Sequence, residues 1–459
     1  QNYWSSLDLT IMKYHDSYIL LKKENKNYIV MGSIPLLGEE YAQKTIDNYK
    51  KSISNANKET IKFETNNLYI ITNDVKENVY EYSIPNSSEI TLVIVDDVEI
   101  NNKSKNKPAI ELLEGSTLNL YSYANVRISS MYNGNEEIIY NNITDNPGYA
   151  GIYVPTGTTL NIKGNGTITA YGGPAGKGGT LTKSDYTLGN GGGGAGAGIG
   201  GNGGIGGIAI DTQSLDGGIG GSCGEVNLYG SVKVYAYGGA GAEGGDSTNE
   251  GAGAGGGYPG AGVGGGGAGG GGATLLVGAG GYSGGAAISL DETKILGGKD
   301  GLAGSHIEDS SKSEYYYSGG GYLAGPDGID TKKVNRAEKC LGGFMGMGND
   351  DTMYSSCGGT GGSGGEIVLS GISELHAYNG NKLTSSDNGN SEPLIINAQD
   401  GFTLEKYSYR KVENSNMFTL ARNSKKKKVK KTDYGQGIGA GAGFIEGNNG
   451  KFKDYSEKK

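Results

Sequence analysis

Two pentapeptides in this chain, Gly-Tyr-Ser-Gly-Gly around Ser283 and Gly-Gly-Ser-Gly-Gly around Ser363, match the G-x-S-x-G pattern of a serine-hydrolase elbow. That elbow needs a strand, a sharp turn and then a helix, which together expose the serine hydroxyl. Neither pentapeptide runs into a helical pattern, and among 88 glycines chance matches are expected. The three histidines, His15, His306 and His376, are scattered, which gives no metal-ligand spacing. His376 falls on the outward parity of its segment, where solvation is the plain expectation. "GGPAGKGG" holds Lys177, but Gly178 stands where a phosphate-binding loop requires Ser or Thr. The G-x-G matches lack the following helix and distal acid of a dinucleotide site. Loop carboxylates such as Asp350 and Asp351 could take calcium; no other cofactor is expected. Sugar-cleaving β-helices need a pair of acids at close range. Glu374 is a lone acid among outward positions that are mainly Asn, Lys, Thr, Ser and Tyr. The chain therefore reads as a non-enzyme.

Cys223, Cys340 and Cys357 make an odd count, which is no disulfide framework. Cys340 and Cys357 are a candidate disulfide; free or buried thiols are the equal alternative. Tyrosines are abundant, 32 against Phe 6 and Trp 1. Such a ring has an apolar body and a polar tip, and suits surfaces that are half wet. Tyr171, Tyr237, Tyr315, Tyr316, Tyr317 and Tyr378 are the candidate contacts, either to glycans or within a subunit interface.

Glycine at 88 of 459 residues is far above ordinary usage, yet there are only 9 prolines and no strict triplet repeat, so collagen is excluded. A net charge of −9 argues against nucleic acid as a partner. No run of 18 apolar residues is present, so no membrane span is expected. The chain opens on Gln1 without a leader pattern, as expected of a processed or partial chain.

The elements that would position any site follow from patterning. Residues 1–87 read as a small α+β region, a cap or docking element. Its short strands surround one amphipathic helix in "GEEYAQKTIDNYKKSISNA", with Ala42, Ile46, Tyr49 and Ile53 on one stripe. Residues 88–399 read as a repeat array. "AIELLEGSTLNL" (109–120) and "GIYVPTGTTLNI" (151–162) align without a gap, Leu118 on Leu160 and Leu120 on Ile162. A second unit recurs as "LNIKGNGTITAY" (160–171), "VNLYGSVKVYAY" (226–237) and "IVLSGISELHAY" (367–378). Its apolar residues share one parity, so they line one side of a strand. Gly164, Gly230 and Gly371 fall mid-unit, where a bend without a Cβ is cheap. The repeated tyrosine falls on the opposite parity. One-face-apolar strands joined by bends bury themselves only when stacked as coils. The fold expectation is thus a mainly β protein: a parallel β-helix or solenoid with glycine-rich side loops.

Residues 189–207 contain 13 glycines, and residues 251–272 contain 15. Ordering 13 glycines costs very roughly 6–13 kcal/mol more than ordering alanines. Such a block stays slack unless its backbone groups find many partners. Lying between apolar rungs, the blocks are expected to fold against a flank as bundled, polyglycine-II-like chains. Residues 400–459 form a basic, tyrosine-rich segment with "KKKKVKK" (425–431) and a last glycine block.

The succession "ITLVIVDDVEI", "AIELLEGSTLNL", "AGIYVPTGTTLNIKGNGTITAYGG", "GAGIGG" resembles the glycine-rich β-helical surface proteins of low-GC Gram-positive anaerobic bacteria. The likeness covers roughly residues 88 to 380. "GAGAGG" (251–256), "GAGVGG" (260–265) and "GIGAGAG" (437–443) look like variants of the same knot. It implies a secreted, extracellular or cell-surface location and a structural or adhesive role. The leading expectation is a self-assembling subunit of a bacterial surface filament or appendage, whose partner is a second copy of itself. The alternative is an adhesin, of cell-surface or phage tail-tip type, that binds host or bacterial surface glycans or a receptor.

Overall fold

The computed structural model describes residues 2–54, 60–130, 147–239, 257–270, 361–378 and 450–457 with short gaps, and isolated strands elsewhere. The protein is mainly β, with parallel strands in sheets, an arrangement consistent with a parallel β-solenoid. The first four strands, Asn2–Ser6, Leu9–Tyr14, Ser17–Glu24 and Asn27–Ile34, form an antiparallel meander instead.

Three sheets carry the stack. Sheet A runs Leu68–Ile71, Glu89–Ile94, Thr117–Ser122, Thr159–Gly164, Glu225–Leu228, Glu366–Leu369 and Lys451–Asp454. Sheet B runs Val98–Asn101, Asn125–Ser129, Thr167–Tyr171, Lys233–Tyr237 and Glu374–Tyr378. Sheet C is built from shorter strands: Ser83–Ile84, Ile110–Leu112, Ile152–Tyr153, Ile199–Gly200, Val263–Gly264 and Ile438–Gly439. The chain visits C, A and B in turn and then starts the next coil.

Register follows the sequence repeats residue by residue. Leu118 pairs with Leu160, and Leu120 with Ile162. Leu160 then pairs with Val226, which pairs with Ile367. On sheet B, Ala170, Ala236 and Ala377 are likewise in line. The "GAGIGG" and "GAGVGG" knots supply sheet C, with Ile152, Ile199, Val263 and Ile438 in one column. Leu118, Leu160, Val226 and Ile367 are fully buried, as are Ile152, Ile199 and Val263, so a single core runs along the axis. The mid-unit bends need glycine: Gly164, Gly230 and Gly371 all have positive φ, of 106°, 68° and 66°.

The stack begins before residue 88 and continues after residue 400. Leu68–Ile71 and Ser83–Ile84 pair within sheets A and C, although patterning placed them in the N-terminal region. Ile438–Gly439 and Lys451–Asp454 likewise extend these two sheets. The N-terminal end of the core is filled by rings. Phe63 packs on Tyr69 at 4.7 Å and stacks on Tyr80 at 5.2 Å between centroids. Helix α1, Glu39–Ser54, lies against strand Leu68–Ile71. Its buried stripe is Thr45, Tyr49 and Ser52, with Ile53 packed beside it. The Thr45 and Ser52 hydroxyls donate within the helix to the carbonyls of Tyr41 and Tyr49, and the Tyr49 hydroxyl shares a hydrogen bond with that of Thr72 at 3.1 Å.

The described glycine segments are held by backbone bonds to several neighbours at once. Gly194 N–H donates to Gly204 O, Gly204 N–H to Gly267 O, and Gly267 N–H to Ala195 O, each at 2.8 Å. Gly193 N–H reaches Gly176 O on another side, and Gly196 N–H reaches Gly173 O. Chains this close leave no room for side chains: a Cβ on Gly203 would land on the Gly194 carbonyl. The lost chain entropy is thus offset by a dense set of hydrogen bonds, each worth about 0.5–1.5 kcal/mol net.

Candidate binding faces

Parallel in-register strands repeat any outward side chain once per coil, at a spacing of about 4.8 Å. On sheet A this generates a ladder of amides. Asn119, Asn161 and Asn227 occupy one register column. Asn161 Nδ2 donates to Asn119 Oδ1 at 2.9 Å, and Asn227 Nδ2 donates to Asn161 Oδ1 at 3.0 Å. The ladder is closed at its ends by carboxylates: Asn119 Nδ2 donates to Glu89 Oε1 at 2.8 Å, and Asn227 Nδ2 to Glu225 Oε1 at 2.9 Å.

A groove of about 310 Å³ runs over this face. Its floor is Glu89, Thr91, Asn119, Tyr121, Asn161 and Lys163. Its walls are Tyr41, from the first turn of α1, and the 66–68 loop. That loop is pinned from several directions. Glu64 N–H donates to the Tyr69 hydroxyl at 2.8 Å, and Thr91 N–H to Asn67 O at 3.0 Å. Lys44 of the helix lies 3.4 Å from the Glu64 carboxylate. Lys163 Nζ sits over two rings, 5.5 Å from the Tyr121 centroid and 5.1 Å from that of Tyr229. Burial, with the Glu89 carboxylate adding, pushes the Tyr121 phenol above its usual range. It is therefore a neutral hydroxyl at physiological pH.

Sheet B carries a column of rings. Tyr171 and Tyr237 pair in register and stack at 5.0 Å with 13° between planes. The Arg127 guanidinium lies 4.9 Å from the Tyr171 centroid. Tyr235 and His376 stack at 4.6 Å, and His376 Nε2 is 3.4 Å from Glu374 Oε2. The His376 side chain is 35% exposed, with the Tyr235 ring on one of its faces. Tyr378 pairs in register with Tyr237 and so continues the column along the backbone.

Tyr315, Tyr316 and Tyr317 lie in strand Tyr315–Ser318, antiparallel to Ala286–Ser289. They belong to a different sheet from Tyr171 and Tyr237. His306 lies in a short strand paired with Ser247–Thr248. Ser363 leads directly into strand Glu366–Leu369, not into a helix, and its carbonyl accepts from Cys223 N–H at 2.9 Å. Cys223 is a buried free thiol. His15, Lys177, Ser283, Cys340, Asp350, Asp351 and Cys357 lie outside the described residues. Among the described residues no three His, Cys, Asp or Glu side chains converge on a metal-sized site, and no helix is long and apolar enough to cross a membrane.

Sequence reasoning missed the amide ladder. Asn119, Asn161 and Asn227 stand at the same position of their repeats, and that recurrence was the available signal. Compared with family models, curated proteins and solved structures, the chain matches none. The likeness to glycine-rich surface proteins therefore rests on sequence pattern alone.

Proposed function

We propose that this protein is an extracellular, non-catalytic binding scaffold of a bacterial surface, an adhesin that recognises glycans. The observation that carries this reading is the repetition of like side chains along the outer faces: the Asn119–Asn161–Asn227 amides on sheet A and the Tyr171–Tyr237 stack on sheet B. Aligned rings and amides at a constant spacing suit a ligand that itself repeats. The glycine segments act as a rigid polyglycine-II-like buttress on one flank. The purified chain on a glycan array tests the reading: selective retention of a defined set of sugars is expected, and retention of none overturns it.

Subunit of a self-assembling filament is the second reading, and the exposure of Phe452 (47%) and Tyr455 (66%) at the last coil favours it. Two features weigh against head-to-tail strand pairing. The first strand of sheet A is buried along its whole length. The last one, Lys-Phe-Lys-Asp, places Asp454 opposite Leu369, in the column of core leucines. Lysines on an edge strand and a charge at an inward position are devices that discourage pairing. Light scattering over a concentration series discriminates: growth into long species would restore the filament reading.

A further inference from the structure

We propose that the groove over sheet A is the glycan site, and that its ligand is an extended, uncharged oligosaccharide lying along the Asn119–Asn161 part of the amide column. This inference rests on the adhesin reading and assigns it a site and a ligand class.

The hydrogen-bond inventory points to an uncharged polyhydroxyl ligand. A side-chain amide offers two N–H donors and two acceptor lone pairs. In the ladder Asn119 and Asn161 each give one N–H and accept one bond through Oδ1. Each keeps a second donor and a second lone pair, a pairing that fits a hydroxyl, which is itself both donor and acceptor. Asn66, Asn67 and Thr91 add further groups of the same neutral kind around the groove.

Charge selects in the same direction. Among the described residues, the ionic side chains lining the groove are Glu89 and Lys163, of opposite sign. Glu89 is engaged by Asn119, and Lys163 by the two tyrosine rings. No arginine among the described residues lines the groove to fork a phosphate or carboxylate, which is what recognition of a polyanion would call for. Tyr41, half-buried at the rim, supplies a ring against which the apolar face of a pyranose can pack. The amides recur at about the strand spacing of 4.8 Å, a scale set by one sugar ring. A chain of sugars laid along the axis thus meets equivalent amides on two successive coils, Asn119 and Asn161, with the Thr91 hydroxyl one coil before them.

The competing account is a ladder that only holds the coils together. Titration calorimetry separates the two, using neutral hexasaccharides (β-1,4-linked glucose, N-acetylglucosamine and mannose) and, as charged probes, oligogalacturonate and a heparin hexasaccharide. At least one neutral probe should bind. Tyr41→Ala and Asn161→Ala should each weaken it at least about tenfold, while Ile372→Ala, an exposed position that does not line the groove, changes it by less than about twofold. If Asn161→Ala fails to fold, Tyr41→Ala decides, since Tyr41 lies outside the ladder. Neutral binding that survives Tyr41→Ala, or is lost only with Tyr237→Ala on sheet B, overturns the groove and leaves the adhesin reading standing. Binding of the charged probes alone also overturns the groove. Binding of no probe here and of nothing on the array removes both.

Discussion

The amide of Asn161 donates to that of Asn119 at 2.9 Å across a sequence separation of 42 residues. Each of the two side chains depends on the other for a bond, and the ladder is largely covered: Asn119 is 8% exposed and Asn227 6%. Asn161→Ala strips Asn119 of a donor and Asn227 of an acceptor. A buried polar group left unsatisfied costs about 1–3 kcal/mol. The urea midpoint of Asn161→Ala should fall accordingly, and a double-mutant cycle with Asn119→Ala should show that the two losses do not add.

Gly203→Ala is expected to be more damaging than alanine at a glycine with open space around it. The added methyl would meet the Gly194 carbonyl and the Ala195 amide, both backbone atoms that cannot step aside. Overpacking of a tight interior costs about 1–3 kcal/mol, occasionally more. Gly157→Ala is the control, because a Cβ there meets nothing within 4 Å and only its φ of +85° is unfavourable. Thermal unfolding of the two variants should differ clearly. Equal midpoints would mean that the glycine segments are not packed as described.

Alkaline pH should loosen the fold. Burial pushes the Cys223 thiol from 9.0 up to about 12, and the Tyr80 and Tyr123 phenols from 10.0 to about 12. A proton held more tightly in the fold than in the open chain stabilises the fold below the open-chain pKa. That contribution fades as pH climbs from about 9 towards 12. Melting temperatures should therefore decline through this window, and Tyr80→Phe should make the decline shallower. At pH 8, with Cys340 and Cys357 replaced by Ser, Cys223 should resist a thiol reagent until the protein unfolds; prompt reaction would contradict its burial.

Asp454→Leu should promote association. The carboxylate stands in register with Leu369 and accepts from Ser456 N–H at 2.9 Å. Leucine there continues the apolar column to the end of the stack beside the exposed Phe452. Sedimentation velocity should show larger species for the variant than for the parent chain. No change would mean that Asp454 does not protect this edge.

Much of this architecture was legible before any coordinates. The gapless match of Leu118 on Leu160 gave the pairing of two coils, and the recurring Gly164, Gly230 and Gly371 gave the bends. The first coil escaped because its inward residues include Tyr69 beside Phe63 and Tyr80, an end plug that does not follow the repeat formula. The last coil escaped because Lys451–Asp454 has only Phe452 to mark it as a rung, far along the chain from Ile367. The candidate site was harder to see. Its floor recurs in the repeat, but its wall, Tyr41 and the 66–68 loop, comes from outside it, and only the tertiary fold lays that wall against sheet A.

The successive partners Leu118, Leu160, Val226 and Ile367 stand 42, 66 and 141 positions apart, yet they meet in one unbroken column. The length of connecting chain varies, and the partners keep their register. Closing a loop twice as long costs only about 0.6 kcal/mol more, so the spacing of the rungs along the chain does not limit how they stack. The molecule behaves as a rack whose slots are fixed by stacking, whatever length of chain joins one slot to the next.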